Sequence, residues 1–251
     1  MISKKALPLF QYIDEDNNKK SSEALLMLPE EGKFDALVVL IHGFNKFGAW
    51  EQLFQAQRLV AKGYAALLPS QFGFGKSTGP GDYCGARTVD AIAAIIAHVA
   101  SEQHIPHERI IVRGASRGAI ISSMILVKYP SLIGGVILEA GAYDMKKDYE
   151  WKGKDPAIKA NMEKEMTIDD ESFHDRSAYF FVEQIAAPVL LMHGRKDETI
   201  SVEQAEAFSR RLTEFDKKHQ LVILEEKGHH IGGPDMDRIY ILPFIEQCLS
   251  K

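Results

Sequence analysis

Apolar positions in this chain cluster into short unbroken runs, separated by longer stretches in which apolar residues recur at helical spacing. Residues 36–41 (Ala-Leu-Val-Val-Leu-Ile) are apolar throughout. A run of that length with no polar alternation predicts a strand buried on both faces. Residues 64–68 and 110–112 read the same way, and 133–138, 188–192 and 220–224 also predict strands. Between them the pattern predicts helices at about 49–62, ending at Gly63, and at 87–101, 119–127, 202–215 and 235–249. At the start, 7–13 and 23–28 predict two strands around the polar stretch 14–20, read as a solvated hairpin tip. Residues 143–181 are polar and mostly helical in pattern, with no strand among them.

Strands alternating with helices, the strands apolar on both sides, imply an open, mostly parallel sheet covered on both faces. The sequence shows no repeat, low-complexity tract or linker, so residues 1–251 are expected to form one domain. The stretch 143–181 is then an insertion placed to roof a site.

Composition narrows the function classes. A 45% apolar content supports one substantial core. Thirty basic against 35 acidic residues, with no basic stripe, argue against nucleic acid or an anionic membrane as partner. No apolar run reaches the ~18 residues that a spanning helix needs. Two cysteines, Cys84 and Cys248, form no framework of bridges and read as thiols in a reducing compartment. The start of the chain has Lys4 and Lys5 before an apolar patch but no small-residue cleavage site, so it reads as a first strand and not a signal peptide. A cytoplasmic location is the resulting expectation.

The chemistry centres on 109–119, Arg-Ile-Ile-Val-Arg-Gly-Ala-Ser-Arg-Gly-Ala. A β-branched run breaks into Gly114-x-Ser116-x-Gly118 and continues as a packed helix. With 19 glycines in 251 residues the triplet alone is a weak signal. Its placement between strand and helix is the context of a nucleophile elbow, in which a serine at a sharp turn needs neighbours without Cβ atoms. The helix N-terminus beneath the hydroxyl favours negative charge at the point of attack.

A serine hydroxyl needs a base, and the base needs an orienting acid. Open sheets supply them on loops after later strands, in the order Ser, Asp, His. Residues 188–197 run from a strand through Gly194 to Asp197, and 221–229 from a strand through Gly228 to His229. Asp144 and Glu198 are rival acids and His230 a rival base, while His193 reads as a hydrogen-bonded core residue. The tetrahedral intermediate needs two backbone N–H donors. Arg117, directly after the serine, and Phe44, after the strand ending in His42-Gly43, are the candidates.

These stretches, together with Leu40-Ile41-His42-Gly43-Phe44 and Gly73-Phe74-Gly75-Lys76-Ser77, resemble an α/β-hydrolase. The resemblance is to the catalytic domain of the prolyl oligopeptidase and acylaminoacyl peptidase group, or to its dienelactone-hydrolase-like relatives. It implies a mostly parallel eight-stranded sheet with helices on both faces, and a triad of Ser116, Asp197 and His229. It also implies a serine hydrolase with no metal or organic cofactor. Three departures stand out. Pro69-Ser70 lies where many relatives have an aspartate, Ala119 lies where a second glycine is frequent, and the elbow carries serine where dienelactone-type relatives often use cysteine. The peptidases of the group also carry a gating propeller, for which 251 residues leave no room. Small carboxylic esters or acyl compounds are therefore the expected substrates, with an oligopeptidase-type amidase and a non-catalytic binding protein as alternatives. Residues 72–77 lack the glycine at 70 that a phosphate loop needs, and Pro106 breaks any helical face joining His104 and His107, so nucleotide and zinc binding are not expected. Phe74, Tyr83, Tyr143, Tyr149, Trp151 and Phe173 read as packing residues that have the size to line a pocket.

Overall fold

The computed structural model describes residues 2–6, 10–13, 19–45 and 47–250, with side chains from Ser21 onward. Its strands are β1 (Ile2–Ala6), β2 (Phe10–Ile13), β3 (Lys19–Ser22), β4 (Ala24–Pro29), β5 (Leu37–Ile41), β6 (Ala65–Pro69), β7 (Ile110–Ala115), β8 (Gly135–Glu139), β9 (Val189–Gly194) and β10 (His219–Leu224). Eight of them form one sheet in the order β1-β4-β6-β5-β7-β8-β9-β10, and β2 and β3 form a separate hairpin. From β6 to β10 every pairing is parallel; β4 runs antiparallel to both β6 and β1. The mostly parallel, eight-stranded sheet expected from the sequence is the one observed.

Helices α1 (Leu53–Val60), α2 (Ala86–Glu102), α3 (Arg117–Lys128), α4 (Met145–Glu150), α5 (Pro156–Glu165), α6 (Asp170–His174), α7 (Glu203–Glu214), α8 (Pro234–Met236) and α9 (Leu242–Leu249) fill the connections. Strand β5 shows why its run is apolar throughout. Leu37, Val39 and Ile41 enter the core shared with α2, α3 and α7, while Val38 and Leu40 enter the core shared with α1 and α9. With both faces covered, no position is left for a polar residue.

Three boundaries differ from the sequence reading. The hairpin lies within the first 22 residues, Phe10 opposite Ser22, and the strand expected at 23–28 joins the main sheet as β4. Residues 7–9 and the tip at 14–18 lie outside the described residues. The helix expected at 49–62 starts as a 3-10 turn, Gly48–Gln52, where the Ala49 N–H is taken by Ser70 Oγ and the Trp50 indole by Glu23. The last helix is broken. Pro243 has no N–H for the carbonyl one turn back, and the backbone ahead of it widens into a π turn, Asp237–Ile241.

The chain passes from β5 to β6 on one side and returns to β7 on the other, so the strand order reverses between β5 and β7. Open α/β sheets place their sites beyond the carboxyl ends of the strands at such a switch point. Here β7 is followed by a turn that glycine alone permits. A Cβ on Gly114 would lie 2.2 Å from the Gly118 carbonyl oxygen, and one on Gly118 would lie 2.1 Å from that of Ile41. Both contacts are with backbone, which cannot move aside.

Gly118→Ala is therefore expected to cost about 3 kcal/mol, the upper end for overpacking. That corresponds to roughly 6–12 °C in Tm for a chain of this size. Gly232→Ala, where the added Cβ meets nothing within 4 Å, is expected to leave Tm nearly unchanged. Thermal melts of the two variants check this; equal Tm values would show that the close approach does not hold.

Candidate active site

Ser116 stands between β7 and α3 with φ 55° and ψ −124°, a left-handed backbone that costs a side-chain-bearing residue on the order of 1–3 kcal/mol. The neighbours hold it there: its N–H donates to the Glu139 carbonyl at 2.8 Å, and its own carbonyl accepts from Ala119 N–H at 2.8 Å. The hydroxyl stands at the N-terminus of the 12-residue helix α3.

His229 and Asp197, the candidate base and acid, come from loops after β10 and β9. His229 Nε2 lies 2.9 Å from Ser116 Oγ, and His229 Nδ1 lies 2.8 Å from Asp197 Oδ2. With the Nδ1 proton directed at the carboxylate, Nε2 is left to accept from the serine hydroxyl. Residues 113 positions apart thus form one hydrogen-bonded chain. His230 is its neighbour, with ring centroids 5.6 Å apart, and does not replace it. Asp144 caps α4 through the Lys147 N–H, and Glu198 is exposed.

Asp197 is buried yet ionised. Burial is the largest influence and pushes its carboxyl up, but the hydrogen bonds outweigh it and hold the group well below the usual carboxylate range. His193 Nε2 donates to Oδ2 at 3.1 Å and shares its proton with the Ile200 carbonyl. Thr199 and Ile200 donate N–H groups to Oδ1 at 2.8 and 3.0 Å. His193, read from sequence as a core residue, is buried and also braces the acid. Next to it lies a buried ion pair, Lys154–Asp148 at 2.5 Å, whose ammonium also reaches the Thr199 carbonyl. Desolvation pushes the Asp148 carboxyl up, against the pull of Lys154.

Phe44 and Arg117 flank the serine. A Cβ on Gly43 would lie 3.5 Å from Ser116 Cβ, so the loop after β5 runs directly beside the elbow. The Phe44 ring is exposed and packs edge-on against Phe74, with centroids 5.7 Å apart. The Arg117 side chain is buried between the Phe74 and Tyr83 rings. A cavity of about 710 Å³ opens over Ser116 and His229, walled by Phe44, Tyr83, Ile158, Ile200 and Ile231. Helix α5, from the stretch expected to roof the site, supplies one wall. Of the six aromatics singled out in the sequence, Tyr83 lines this cavity; Tyr143, for example, is stacked on Phe208 in the core.

Sequence reasoning passed over several polar residues that shape the site. Glu23, buried ahead of β4, accepts from Ser70 Oγ, Lys76 N–H and the Trp50 indole. Gln71 and Glu165 bond to Arg117 at 2.8 and 2.6 Å. Arg113 on β7, fully buried, is gripped by Glu139 and by Asp237 of the C-terminal segment. Each carboxylate is tens of residues from its partner, so no local spacing announces the pair.

His42 is buried and neutral, its pKa lowered from 6.5 to about 4 by desolvation and by the nearby Arg117 charge, against the pull of the Gly43 carbonyl and Glu23. As pH falls below 6.5 the unfolded chain gains this proton first, so stability drops until the folded form also protonates near 4. At about 1.4 kcal/mol per pH unit the total is roughly 3 kcal/mol. His42→Gln is expected to flatten the fall of Tm between pH 6.5 and 4. Melts across that range check the sign, and an unaltered slope would remove His42 as its source.

Comparison with known proteins gives consistent relatives. Residues 79–250 match the prolyl oligopeptidase family. The uncharacterized peptidase YuxL of Bacillus subtilis is 25% identical over 96% of this chain and 38% of its own length. The fold matches the acylaminoacyl peptidase of Pyrococcus horikoshii with a TM-score of 0.79 and 19% identity, over 100% of this chain and 42% of that one. The Pyrococcus furiosus esterase Pf2001 matches with a TM-score of 0.67 and 18% identity, over 99% of this chain and 91% of that one. The chain thus spans about two fifths of the length of YuxL and of the acylaminoacyl peptidase. Among the described residues no helix is long and apolar enough to cross a membrane. With the family match covering more than half of its residues, the chain belongs to the prolyl oligopeptidase family, on an α/β-hydrolase fold.

Proposed function

We propose that this chain is a serine hydrolase that cleaves a carboxylic ester or similar small acyl compound through an acyl-enzyme on Ser116. The observation that carries the reading is the hydrogen-bonded chain Ser116–His229–Asp197, at 2.9 and 2.8 Å, opening on a cavity. Ser116 Oγ attacks the carbonyl carbon while its proton passes to His229 Nε2. The carbonyl oxygen becomes an oxyanion held by the Phe44 and Arg117 N–H groups. Asp197 stabilises the imidazolium, which returns the proton to the leaving oxygen as the ester C–O bond breaks. Water then attacks the acyl-enzyme, giving its proton to His229, and the free acid and serine are regenerated.

The mainly apolar cavity wall supports an acyl substrate, as does the match to an esterase over 91% of that protein's length. An acyl-protein thioesterase from Eremothecium gossypii, 28% identical over 54% of this chain, is a further similarity in the same direction. A second reading, an oligopeptidase-type amidase, is favoured by the likeness to YuxL and the acylaminoacyl peptidase. Amide and ester cleavage share the Ser116 chemistry and differ in the leaving group that His229 must protonate.

Turnover of p-nitrophenyl esters beside aminoacyl-coumarin amides separates the two readings; amide cleavage exceeding ester cleavage would favour the second. Ser116→Ala is expected to remove about 10⁴-fold or more of the turnover. Asp197→Asn, which leaves His229 in the wrong tautomer, is expected to lower kcat by roughly 10³–10⁴-fold. A Ser116→Ala protein as active as the parent would end the proposal.

A further inference from the structure

Gln71 makes bonds that no catalytic scheme so far described uses. It is fully buried at the end of β6, yet every polar atom of its side chain has a partner from the switch point. Its backbone N–H donates to His42 Nε2 at 3.1 Å, and its amide Nε2 donates to the His42 carbonyl. Its Oε1 accepts from Arg117 Nε at 2.8 Å. The amide orientation is unambiguous, because one end faces a carbonyl and the other a guanidinium. His42 in turn donates Nδ1–H to the Gly43 carbonyl at 2.7 Å, which leaves Nε2 free to accept.

These bonds add side-chain links between two segments that lie beyond the end of a strand ladder. The β5–β7 ladder stops at Ile41 opposite Gly114. Beyond it, one strand leads to Phe44 and the other to Arg117. Gln71 bonds to both of these segments, to the His42 carbonyl on one and to Arg117 Nε on the other. Arg117 is fixed at its far end as well. Its guanidinium lies 4.8 and 5.1 Å from the Tyr83 and Phe74 ring centres, and its Nη2 donates to Glu165 Oε2 at 2.6 Å. Glu165 is the last residue of α5, whose Ala157, Ile158 and Asn161 line the cavity, and it also accepts the Tyr83 N–H at 3.1 Å.

We propose that Gln71 is a positioning residue for the oxyanion hole: bonded to His42 and to the Arg117 side chain, it sets the spacing of the Phe44 and Arg117 N–H donors, and Glu165 ties that brace to helix α5. The inference rests on the acyl-enzyme reading above and adds to it a residue that never touches substrate. A misplaced donor weakens the oxyanion and leaves substrate binding alone, so the loss belongs in kcat.

The test compares the parent, Ser116→Ala, Gln71→Met and Gln71→Glu on one p-nitrophenyl ester. Gln71→Met keeps the length and removes the amide; kcat is expected to fall roughly 10- to 100-fold with KM within about threefold. A trifluoromethyl ketone, which forms an oxyanion on serine, is expected to lose affinity by the same factor as kcat/KM, while the matching secondary alcohol, which forms none, binds as before. Gln71→Glu keeps the acceptor toward Arg117 and is expected to lose less than Gln71→Met. If Gln71→Met does not fold, Arg117→Lys breaks the same bond from the other side and is read by the same pair of ligands. An unchanged kcat, or equal losses for ketone and alcohol, would overturn the brace. Ester turnover surviving in Ser116→Ala would overturn the acyl-enzyme reading and the brace with it.

Discussion

The site depends on one steric fact: the first turn of α3 lies against the carboxyl end of β5 with no side chain between them. A methyl group on Gly118 would sit 2.1 Å from the Ile41 oxygen. That contact brings the helix N-terminus under Ser116 and brings the loop after β5 beside it. It also forces Ser116 into a left-handed backbone, a strain that six parallel strands and two packed cores are able to hold. Move the helix out by the width of one methyl and the hydroxyl, the helix terminus and the Gly43–Phe44 loop no longer share a point.

Electrostatics follow the same economy. Strands β5, β6, β8 and β9 are buried throughout, so each charge near them has to be met by hydrogen bonds. Asp197 shows the balance most directly: burial disfavours its charge, and two imidazoles with two backbone N–H groups restore it. Arg113 is held by two carboxylates, and Asp237 is in turn shared with Arg58 at 2.7 Å. Such pairs add little net stability compared with apolar packing, but breaking one partner away is costly. Their effect is to fix geometry. The C-terminal segment is docked beneath the elbow through Asp237, and the acid loop is pinned through Thr199 to Lys154.

The mostly parallel sheet was legible because it is written in local patterns: apolar runs of strand length, helical spacing between them, and turn glycines. Ser116, Asp197 and His229 are each marked by a glycine on a loop directly after a strand, and the structure brings the three within hydrogen-bonding reach. What was not legible depends on distance or on a competing local rule. Pro243 lies inside an otherwise helical pattern, and its missing N–H outweighs that periodicity. Glu23 follows a strand and looks like surface sequence, yet it is buried by a loop some fifty residues further on. The Arg117 side chain, next to the most conspicuous motif in the chain, looks solvent-bound and is instead sandwiched between two rings. Local pattern marks the three candidate residues, whereas the groups that hold them are recruited from other elements.

That division explains how the helical stretch after β8 takes part in the site. It contacts Arg117 through Glu165 and the loop carrying Asp197 through Lys154. Between those contacts α5 walls the cavity. A wall bonded at both ends cannot shift freely, because displacing α5 would pull on the Arg117 guanidinium at one end and on the Thr199 carbonyl at the other. The contacts that shape the pocket and those that place the reacting groups therefore share side chains.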